Sequence, residues 1–525
     1  MARGSAPGRQ GVRRAGTPGV PVGAAAPTGP TPEPTNGRGR FAPYVLGTVL
    51  LALAAVTLAL LAYAAVVGEP VLGFAAFLAV AVPTGALLRW QGRSEAEPGR
   101  REAIATVLLT WLTVPLLGTV PYLVTLGLPF TQAVFESMSG FTSTGATVLT
   151  TFETLPRSLL LWRAVTQWVG GIGIIVLFVA VFPQLSIAGR QMFFTELPGV
   201  TDERLTPRLR STAAAVLAVY AGLTVLCTGA FAARGMPFSE ALGHAFTTVS
   251  AGGFSFHGAG LAHYQDPAVE WIAVVFMFVA GLSMPLLWRA LSGRPALVLR
   301  NAEVRVYAAV MAAAAVALVV LLWDESGRLA VRQGVFHAVS VMTTTGYSTS
   351  DFGGWGEPAQ AVLLLLMLVG GSTGSASGGV KVMRWLVIAK NTVREVRRVL
   401  HPRAVLPVRV GNAVVPEEVL RAVAAFITLY VGLFAFSTVA LVMLGSPFVE
   451  ALTASIASIG NVGPGLGAVG PFGTYADVHP AGHLLLAFVM FAGRLEVVTV
   501  FVVFTPGWWR LPRRSPLAWW RRDAG

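Results

Sequence analysis

Four segments of the sequence combine small, hydroxyl-bearing and glycine residues in a pattern that suits a dehydrated monovalent cation. They read 131-TQAVFESMSGFTSTG-145, 238-FSEALGHAFTTVSAG-252, 332-RQGVFHAVSVMTTTG-346 and 449-VEALTASIASIGNVG-463. Each segment is moderately apolar, too short to cross a membrane, and ends at a glycine. Glycine permits the positive φ that turns successive carbonyls to one side, and rings of carbonyl oxygens replace the water shell of an ion. The repeat therefore predicts an ion filter built from four loops.

The third loop carries the clearest filter pattern. Thr344-Thr345-Gly346-Tyr347 matches three of the first four positions of the potassium-channel filter TVGYG. The other loops are looser and read STGA, SAGG and NVGP from Ser143, Ser250 and Asn461. Simple tight turns between helices would not explain the apolar segments that precede all four glycines.

A glycine- and serine-rich segment, 370-GGSTGSASGG-379, interrupts a hydrophobic run. Each glycine disfavours a helix by about 0.5–1 kcal/mol relative to alanine, and irregular backbone inside a membrane must face protein or water. Two interpretations remain open, a mobile gate below the filter and a kink without a gating role. A phosphate-binding loop is disfavoured, because Val380 separates Gly379 from Lys381 and no Ser or Thr follows the lysine.

Charged residues at two places carry alternative interpretations. Arg494 lies in an apolar run, where a charge costs about 2.5–3.5 kcal/mol on insertion scales. We predict that it projects toward the ion pathway opposite the Gly/Ser segment; the alternative is a structural pair with Glu496 or another carboxylate. Lys381 and Arg384 follow the Gly/Ser segment, either as membrane-surface anchors or as contacts that couple it to a partner.

Acidic residues and histidines near the four loops also allow two interpretations. The carboxylates either form a ring that concentrates cations at the pore mouth or are ordinary solvated groups. The histidines suit hydrogen-bonded packing better than ion coordination, because imidazole prefers transition metals. The residues concerned are Glu136, Glu240, Glu450, Asp351, Asp477, His244 and His337.

The elements that must position these residues are membrane-spanning helices. Of 525 residues, 54% are hydrophobic and 12% are charged, about half the charged fraction of a soluble protein, roughly 25%. We predict an all-α integral membrane protein with ten transmembrane helices. The predicted spans are about 43–67, 70–88, 103–128, 164–189, 212–233, 271–288, 306–323, 359–380, 422–449 and 481–505.

Charge sets the orientation of this chain in the membrane. The net charge is +13, and 29 Arg and Lys residues lie in the tails and alternate loops, against five in the opposite loops. This distribution predicts that both termini are cytoplasmic, and it disfavours nucleic-acid binding. The sequence shows no catalytic or metal-binding motif, and the single cysteine, Cys227, excludes an internal disulfide. We therefore predict a non-enzyme without a cofactor of its own.

The predicted organisation places four pseudo-repeated helix–pore loop–helix units around one ion pathway. The ranges are 1–42 (disordered cytoplasmic tail), 43–90 (two extra spans), 91–190, 191–295, 296–400 and 401–508 (four repeats), and 509–525 (cytoplasmic tail). The Gly/Ser segment falls within the third repeat. Tryptophans 508, 509, 519 and 520 stand among arginines and predict an interfacial anchor.

Together these motifs resemble the Trk/Ktr/HKT superfamily of potassium transporters, and specifically the bacterial TrkH-type membrane subunit. The resemblance covers roughly residues 45–508 and also rests on WRAVTQWVGGIG from Trp162, NVGPGLG from Asn461 and FAGRLE from Phe491. It implies K⁺ uptake across the bacterial plasma membrane, a homodimer and a cytosolic TrkA-type regulatory subunit that binds a nucleotide. It implies filter residues Ser143, Thr144, Gly145, Ser250, Ala251, Gly252, Thr344, Thr345, Gly346, Asn461, Val462 and Gly463. It implies a gate of Gly370, Gly371, Gly374, Gly378, Gly379 and Arg494.

Two other functions remain open at this stage. Ala251 and Val462 lack the hydroxyls of Thr144 and Thr345, which leaves room for a Na⁺-coupled or weakly selective cation transporter on the same fold. The other is a non-transporting membrane scaffold or a membrane-embedded enzyme, the latter disfavoured by the missing catalytic residues.

Overall fold

The computed structural model describes residues 41–92, 100–180, 205–411 and 413–509. The predicted N-terminal tail up to residue 40, residues 181–204 and the C-terminal Trp519 and Trp520 lie outside the described residues. The described chain is mostly helical. Its helices are α1 (Phe41–Val67), α2 (Leu72–Gln91), α3 (Arg100–Leu117), α4 (Val120–Leu126), α5 (Phe130–Phe141), α6 (Arg157–Ala180), α7 (Leu205–Ala232), α8 (Phe238–Val249), α9 (Pro267–Ala280), α10 (Met284–Leu291), α11 (Ala296–Arg300), α12 (Ala302–Ser326), α13 (Leu329–Met342), α14 (Glu357–Val369), α15 (Val382–Leu400), α16 (Glu417–Met443), α17 (Phe448–Ile459), α18 (Pro480–Arg494), α19 (Val497–Phe501) and α20 (Pro506–Trp509).

The long helices make this a multi-pass membrane protein. Within the described residues, seven helices are long and apolar enough to cross a membrane, or nine when two bent pairs each count as one span. The bent pairs are α9 with α10 (99°) and α18 with α19 (112°). The predicted spans 271–288 and 481–505 are therefore not straight helices. In the predicted span 359–380, the helix ends at Val369.

The breaks in these spans have local causes. Pro285 in the first turn of α10 cannot donate a backbone hydrogen bond to the preceding turn, so a new helix starts there. The first residue after α14, Gly370, has a φ of +78°, and Glu496, which precedes α19, has a φ of +66°. Such left-handed residues end a right-handed helix.

Four short helices, α5, α8, α13 and α17, each lie before one of the predicted filter loops. Pro129, Pro237 and Pro447 immediately precede α5, α8 and α17. A proline whose φ is fixed suits the start of a helix. The last turns of the four helices are buried, so each helix delivers its loop to the protein interior.

Helices α1 and α2 pack against the first repeat. Phe74 and Phe77 contact Trp162 of α6, with ring centroids 6.3 and 5.3 Å apart. These residues belong to a hydrophobic cluster separate from the main core that surrounds the other repeats.

One small element departs from the all-α prediction. Arg409–Val410 and Ala413–Val414 form a two-stranded antiparallel hairpin between α15 and α16. The hairpin follows the charged α15 and lies outside the hydrophobic spans, where backbone polar groups are free to pair between strands.

Candidate functional site

The four loops form a set of equivalent tight turns. After each short helix, one residue other than glycine adopts a left-handed conformation: Ser143 (φ 51°), Ala251 (54°), Thr344 (59°) and Asn461 (53°). Two positions later stands a glycine of positive φ, and these are Gly145, Gly253, Gly346 and Gly463. We call the turns, in chain order, turn 1 (142–145), turn 2 (250–253), turn 3 (343–346) and turn 4 (460–463).

This geometry corrects the sequence register of the second loop by one residue. The glycine equivalent to Gly145 is Gly253, and Gly252 occupies the position of Thr144. Ser250, a predicted filter residue, is the residue that caps α8, equivalent to Thr142. The sequence analysis missed Gly253, because the two adjacent glycines allow either alignment and only the backbone angles distinguish them.

The turns close into a ring. A Cβ built on each glycine would collide with the carbonyl oxygen that precedes the glycine of the next turn. The glycine, the carbonyl residue and the Cβ–O distance are Gly145 and Gly252 (2.2 Å), Gly253 and Thr345 (1.9 Å), Gly346 and Val462 (1.9 Å), and Gly463 and Thr144 (2.6 Å). Turn 1 thus contacts turn 2, turn 2 contacts turn 3, turn 3 contacts turn 4, and turn 4 contacts turn 1.

Two side chains brace the ring, one from α6 and one from turn 4 itself. Gln167 Nε2 donates to the carbonyl of Gly252 at 2.7 Å, and its Oε1 accepts from the Phe254 amide at 3.1 Å. Asn461 Nδ2 donates to Thr144 Oγ1 at 2.9 Å and so joins turn 4 to turn 1. Gln167 was quoted in the sequence motif without a role, since only the tertiary structure places it against turn 2.

A cavity of about 310 Å³ opens on one face of the ring. Its lining includes three of the turn glycines, Gly145, Gly253 and Gly346, together with Pro464 next to the fourth. The ring therefore lies at the base of a vestibule.

The predicted ring of outer carboxylates is not a uniform set. Glu136 is fully buried and forms an ion pair with Arg163 (Oε1 to Nε, 2.8 Å). Its other oxygen accepts from the Val148 amide at 3.0 Å, so this carboxylate fixes the segment after turn 1. Glu240 contacts His257 at 3.2 Å. By contrast, Asp351 and Asp477 are exposed.

The two histidines of the short helices are bonded within the protein. Nδ1 of His244 lies 2.9 Å from the carbonyl of Glu240, and Nδ1 of His337 lies 2.8 Å from that of Gln333. Nε2 of His244 lies 3.2 Å from Ser255 Oγ, beyond turn 2. Both imidazoles thus hold their own loops, as Glu136 does in the first repeat.

The two ends of the Gly/Ser segment (370–379) lie close together where the segment joins α14 and α15. We call this place, around Gly370, Gly379 and Lys381, the neck. The amide of Lys381 donates to the carbonyl of Val369 at 3.1 Å. Gly370 and Gly379 both have positive φ, and a Cβ on Gly379 would come within 2.8 Å of the Gly370 Cα. Glycine is therefore required on both sides of the neck.

The Gly/Ser segment lies directly against the ring, at turns 3 and 4. The amide of Gly378 donates to Thr344 Oγ1 at 2.6 Å, and a Cβ on Gly378 would lie 2.2 Å from the carbonyl of Gly460. Gly374 accepts from the Met284 amide at 3.1 Å, at the start of α10. The segment thus contacts turns 3 and 4 and the break of the second repeat.

Arg494 joins the Gly/Ser segment to turn 1. It is 3% exposed, and it donates to the carbonyl of Ala376 at 2.9 Å and to Ser143 Oγ at 3.2 Å. Glu496, the pairing partner considered for Arg494, instead forms an ion pair with Arg384.

Lys381 and Arg384 lie at the neck. The Lys381 ammonium donates to the carbonyl of Ser377, within the segment, and the Arg384 guanidinium lies 4.0 Å from the centre of the Phe426 ring. Both side chains are largely buried, which argues against simple anchors at the membrane surface. The sequence analysis did not single out Glu303, a buried carboxylate of α12 whose Oε1 accepts from the Thr373 amide at 2.7 Å.

Comparison with known proteins gives a consistent family. A family model for TrkH, described as a cation transport protein, matches residues 72–507. The Trk system potassium uptake protein TrkH of Salmonella typhimurium is 37% identical over 82% of this chain and 91% of its own. The Trk system potassium uptake protein TrkI of Halomonas elongata is 35% identical over 90% of this chain and 97% of its own.

A solved structure agrees with this result. The crystal structure of the potassium transporter TrkH from Vibrio parahaemolyticus superimposes with a TM-score of 0.82 at 32% identity, covering 90% of this chain and 99% of that one. The chain belongs to the TrkH family of cation transport proteins.

Proposed function

We propose that this chain is the ion-translocating subunit of a potassium uptake system. K⁺ would cross through the ring of turns 1–4, at the centre of four helix–loop–helix repeats and ten membrane crossings. With the register of turn 2 corrected, the filter positions are the three residues that end at Gly145, Gly253, Gly346 and Gly463. The names of the relatives, all potassium uptake proteins of Trk systems, support K⁺ as the substrate.

The ring closure is the observation that carries this proposal. Each turn glycine contacts the carbonyl of the next turn, so the four backbones hold one another around a common axis. The left-handed residue in each turn and the following glycine have backbone angles that would allow consecutive carbonyls to turn toward that axis. Oxygen rings of this kind replace the hydration shell of a monovalent cation.

Transport through such a ring needs no chemical reaction in this chain. The membrane potential supplies about 2.3 kcal/mol per charge per 100 mV, which is enough to drive inward K⁺ movement. We therefore propose a transporter that is not an enzyme, that carries K⁺ as cargo and that holds no cofactor of its own.

The gate in this proposal is the Gly/Ser segment with Arg494. The segment packs against turns 3 and 4, and the Arg494 guanidinium ties it to turn 1. A positive charge at this depth repels a cation that leaves the ring, and a segment held by side chains can be displaced without unfolding the ring.

Regulation would come from other polypeptides. We propose a homodimer in the bacterial plasma membrane, with both termini cytoplasmic, that works with a cytosolic TrkA-type subunit which binds the regulatory nucleotide. The phrase Trk system in the relatives' names supports an assembly of several components. Lys381 and Arg384, at the neck of the gate, would pass movement of α15 to the segment.

A weakly selective or Na⁺-coupled cation transporter is the second candidate. It is favoured by the loss of hydroxyls at equivalent positions, because Thr144 and Thr345 correspond to Gly252 and Val462 in turns 2 and 4. Only two turns therefore offer hydroxyl oxygens at this level of the ring.

The test is uptake of Rb⁺ and Na⁺ into proteoliposomes that contain the purified chain, alone and with the TrkA-type subunit. The turn variant is Gly346→Ser, and Gly235→Ser is its matched control, since Gly235 also has positive φ (83°) but open space where a Cβ would stand. We expect the wild-type chain to take up more Rb⁺ than Na⁺. We expect Gly346→Ser to abolish Rb⁺ uptake or to admit Na⁺ as well, and Gly235→Ser to behave like wild type. Equal Rb⁺ and Na⁺ uptake would favour the second candidate. No uptake even with the partner would indicate a scaffold.

A further inference from the structure

Glu303 is a buried charge outside the filter and outside the Gly/Ser segment. It lies in the first turn of α12 and is 1% exposed. A carboxylate in the first turn of a helix is stabilised by the helix dipole, but burial inside a membrane protein is costly unless the charge is bonded. The bonds of Glu303 therefore indicate why it is there.

The Glu303 carboxylate joins the Gly/Ser segment to α15, the helix that follows it. Its Oε1 accepts from the amide of Thr373, in the segment, at 2.7 Å. The same oxygen accepts from the amide of Met383, at the start of α15, at 3.2 Å. The chain enters the segment from α14 and leaves it into α15 close to this point. One oxygen atom of Glu303, on α12, therefore joins the segment to the start of α15.

Charges at the neck surround this contact. Glu303 and Glu496 are the acidic groups that act on the Lys381 ammonium, while Arg384 and Arg494 are its basic neighbours. Arg494 holds the middle of the segment through Ala376, and Glu303 holds its base through backbone amides. The two charges thus hold the segment at different points.

An equivalent residue in the first repeat has a different role. Glu102 and Glu303 each precede their turn glycine, Gly145 or Gly346, by 43 residues. Glu102 Oε1 accepts from the Phe41 amide at 3.2 Å, at the start of α1. Of these two equivalent carboxylates, Glu303 contacts the Gly/Ser segment of its own repeat, whereas Glu102 contacts the start of α1.

We propose that Glu303 is a positioning residue that couples the cytoplasmic helix α15 to the gate. As long as its carboxylate accepts from both amides, the start of α15 and the base of the segment move as one body and the segment stays against the ring. A displacement of α15 breaks one of the two bonds and releases the segment. This inference rests on the gating role in the proposed function and adds the contact that transmits the signal.

The test measures uptake in proteoliposomes of the full chain without a regulatory partner, for Glu303→Ala and Glu303→Gln beside wild type. Charge-assisted hydrogen bonds are roughly twice as strong as neutral ones, so glutamine retains an acceptor but binds the amides less well. We expect basal Rb⁺ uptake to rise on the order of tenfold in Glu303→Ala and less in Glu303→Gln, with an unchanged Rb⁺/Na⁺ ratio. Glu102→Ala is the matched control, for which we expect uptake within about twofold of wild type.

A second measurement reports on the segment itself. Ser375 is buried within the segment and the native Cys227 is also fully buried, so a Ser375→Cys variant gives a thiol probe with a low background. We expect a water-soluble methanethiosulfonate reagent to modify this thiol about ten times faster when Glu303→Ala is added, and not when Glu102→Ala is added.

The outcomes separate this inference from the proposed function. Unchanged thiol modification in Glu303→Ala overturns the coupling role of Glu303, whatever the uptake assay gives. Faster modification without a change in uptake would support the contact of Glu303 with the segment, and it would overturn the segment as the gate. Equal effects of Glu303→Ala and Glu102→Ala in both assays would reduce Glu303 to a general stabilising residue.

Discussion

The four turns and the Gly/Ser segment are both irregular, glycine-rich backbone inside the protein, but they are held in different ways. The turns are fixed by main chain. A Cβ added to each turn glycine would lie only 1.9–2.6 Å from a carbonyl oxygen of the neighbouring turn. The segment is held by a few backbone hydrogen bonds, such as that of its Gly374 carbonyl with the Met284 amide, and by side chains from three other places, Arg494, Glu303 and Thr344. One region has no room for adjustment, whereas the other is attached through bonds that can be exchanged.

In the proposed function, this difference separates ion selection by the ring from gating by the segment. Backbone carbonyls in a closed ring keep a fixed spacing, because moving one turn would require the next to move. Side-chain hydrogen bonds contribute about 0.5–3 kcal/mol each, an amount that a partner protein can supply on binding. A molecule with a rigid ring and a detachable segment can open and close without altering which ion it accepts.

The largest expected effect concerns the ring and its register. In Gly253→Ala the new Cβ would stand 1.9 Å from the carbonyl of Thr345, at a position with positive φ. Such a backbone clash together with conformational strain costs about 3 kcal/mol or more, so we expect Rb⁺ uptake to fall by roughly 10²-fold. Ser250→Ala is the matched change in the same turn. Its hydroxyl donates to the Thr247 carbonyl at 3.3 Å and also hydrogen-bonds the Tyr220 side chain, neither of which holds the ring closed, so we expect less than about a threefold loss. A greater loss in Ser250→Ala would restore the register given by sequence alone.

A smaller effect of opposite sign is expected at the segment. Arg494→Gln removes the bonds to Ala376 and Ser143 and a positive charge below the ring. We expect basal Rb⁺ uptake to rise about tenfold with an unchanged Rb⁺/Na⁺ ratio, because the ring remains closed. Arg234→Gln, which removes an exposed arginine paired with Asp266 at 2.9 Å, should change uptake by less than about twofold. A fall in uptake for Arg494→Gln would mean that the arginine supports the ring and does not restrain the segment.

The smallest effect is expected at the exposed outer surface, where neither kind of constraint applies. Asp477 is exposed, so Asp477→Asn removes a solvated charge and leaves the ring and the segment intact. We expect Rb⁺ uptake to fall by less than about twofold at 10 mM salt, where the screening length is about 30 Å, and to match wild type at 1 M salt, where it is about 3 Å. Uptake is measured over this series at fixed Rb⁺, with choline chloride as the added salt. A loss that persists at high salt would assign Asp477 a direct contact with the ion.

The sequence predicted which segments form the candidate site better than it predicted the register in which the four turns align. The four loops, Arg494 and the Gly/Ser segment were recognised because glycine, hydroxyl and buried charged residues are unusual in hydrophobic runs. The one-residue error in turn 2 arose because Gly252 and Gly253 are chemically identical, and only the left-handed Ala251 shows which of them ends the turn.

Long-range partners explain the rest of the difference. Glu136 was considered an outer carboxylate because it precedes the first turn, but it pairs with Arg163, which is 27 residues away in sequence. Glu303 reaches the Gly/Ser segment 70 residues later. Neither pairing can be recognised from the sequence. A single buried carboxylate in a helix has no local pattern that indicates which distant residue it contacts.

What the sequence determined by itself was the class of protein, and it predicts the repeat and the orientation in the membrane. These follow from hydrophobicity, charge distribution and the positions of glycine, which act locally along the chain. Only the tertiary structure decided the register of turn 2, the order in which the turns meet, the bends after α9 and α18, and the pairing of Glu496 with Arg384. Each of these depends on the distance between segments that lie far apart in the chain, and that distance is set when the repeats pack around a common axis.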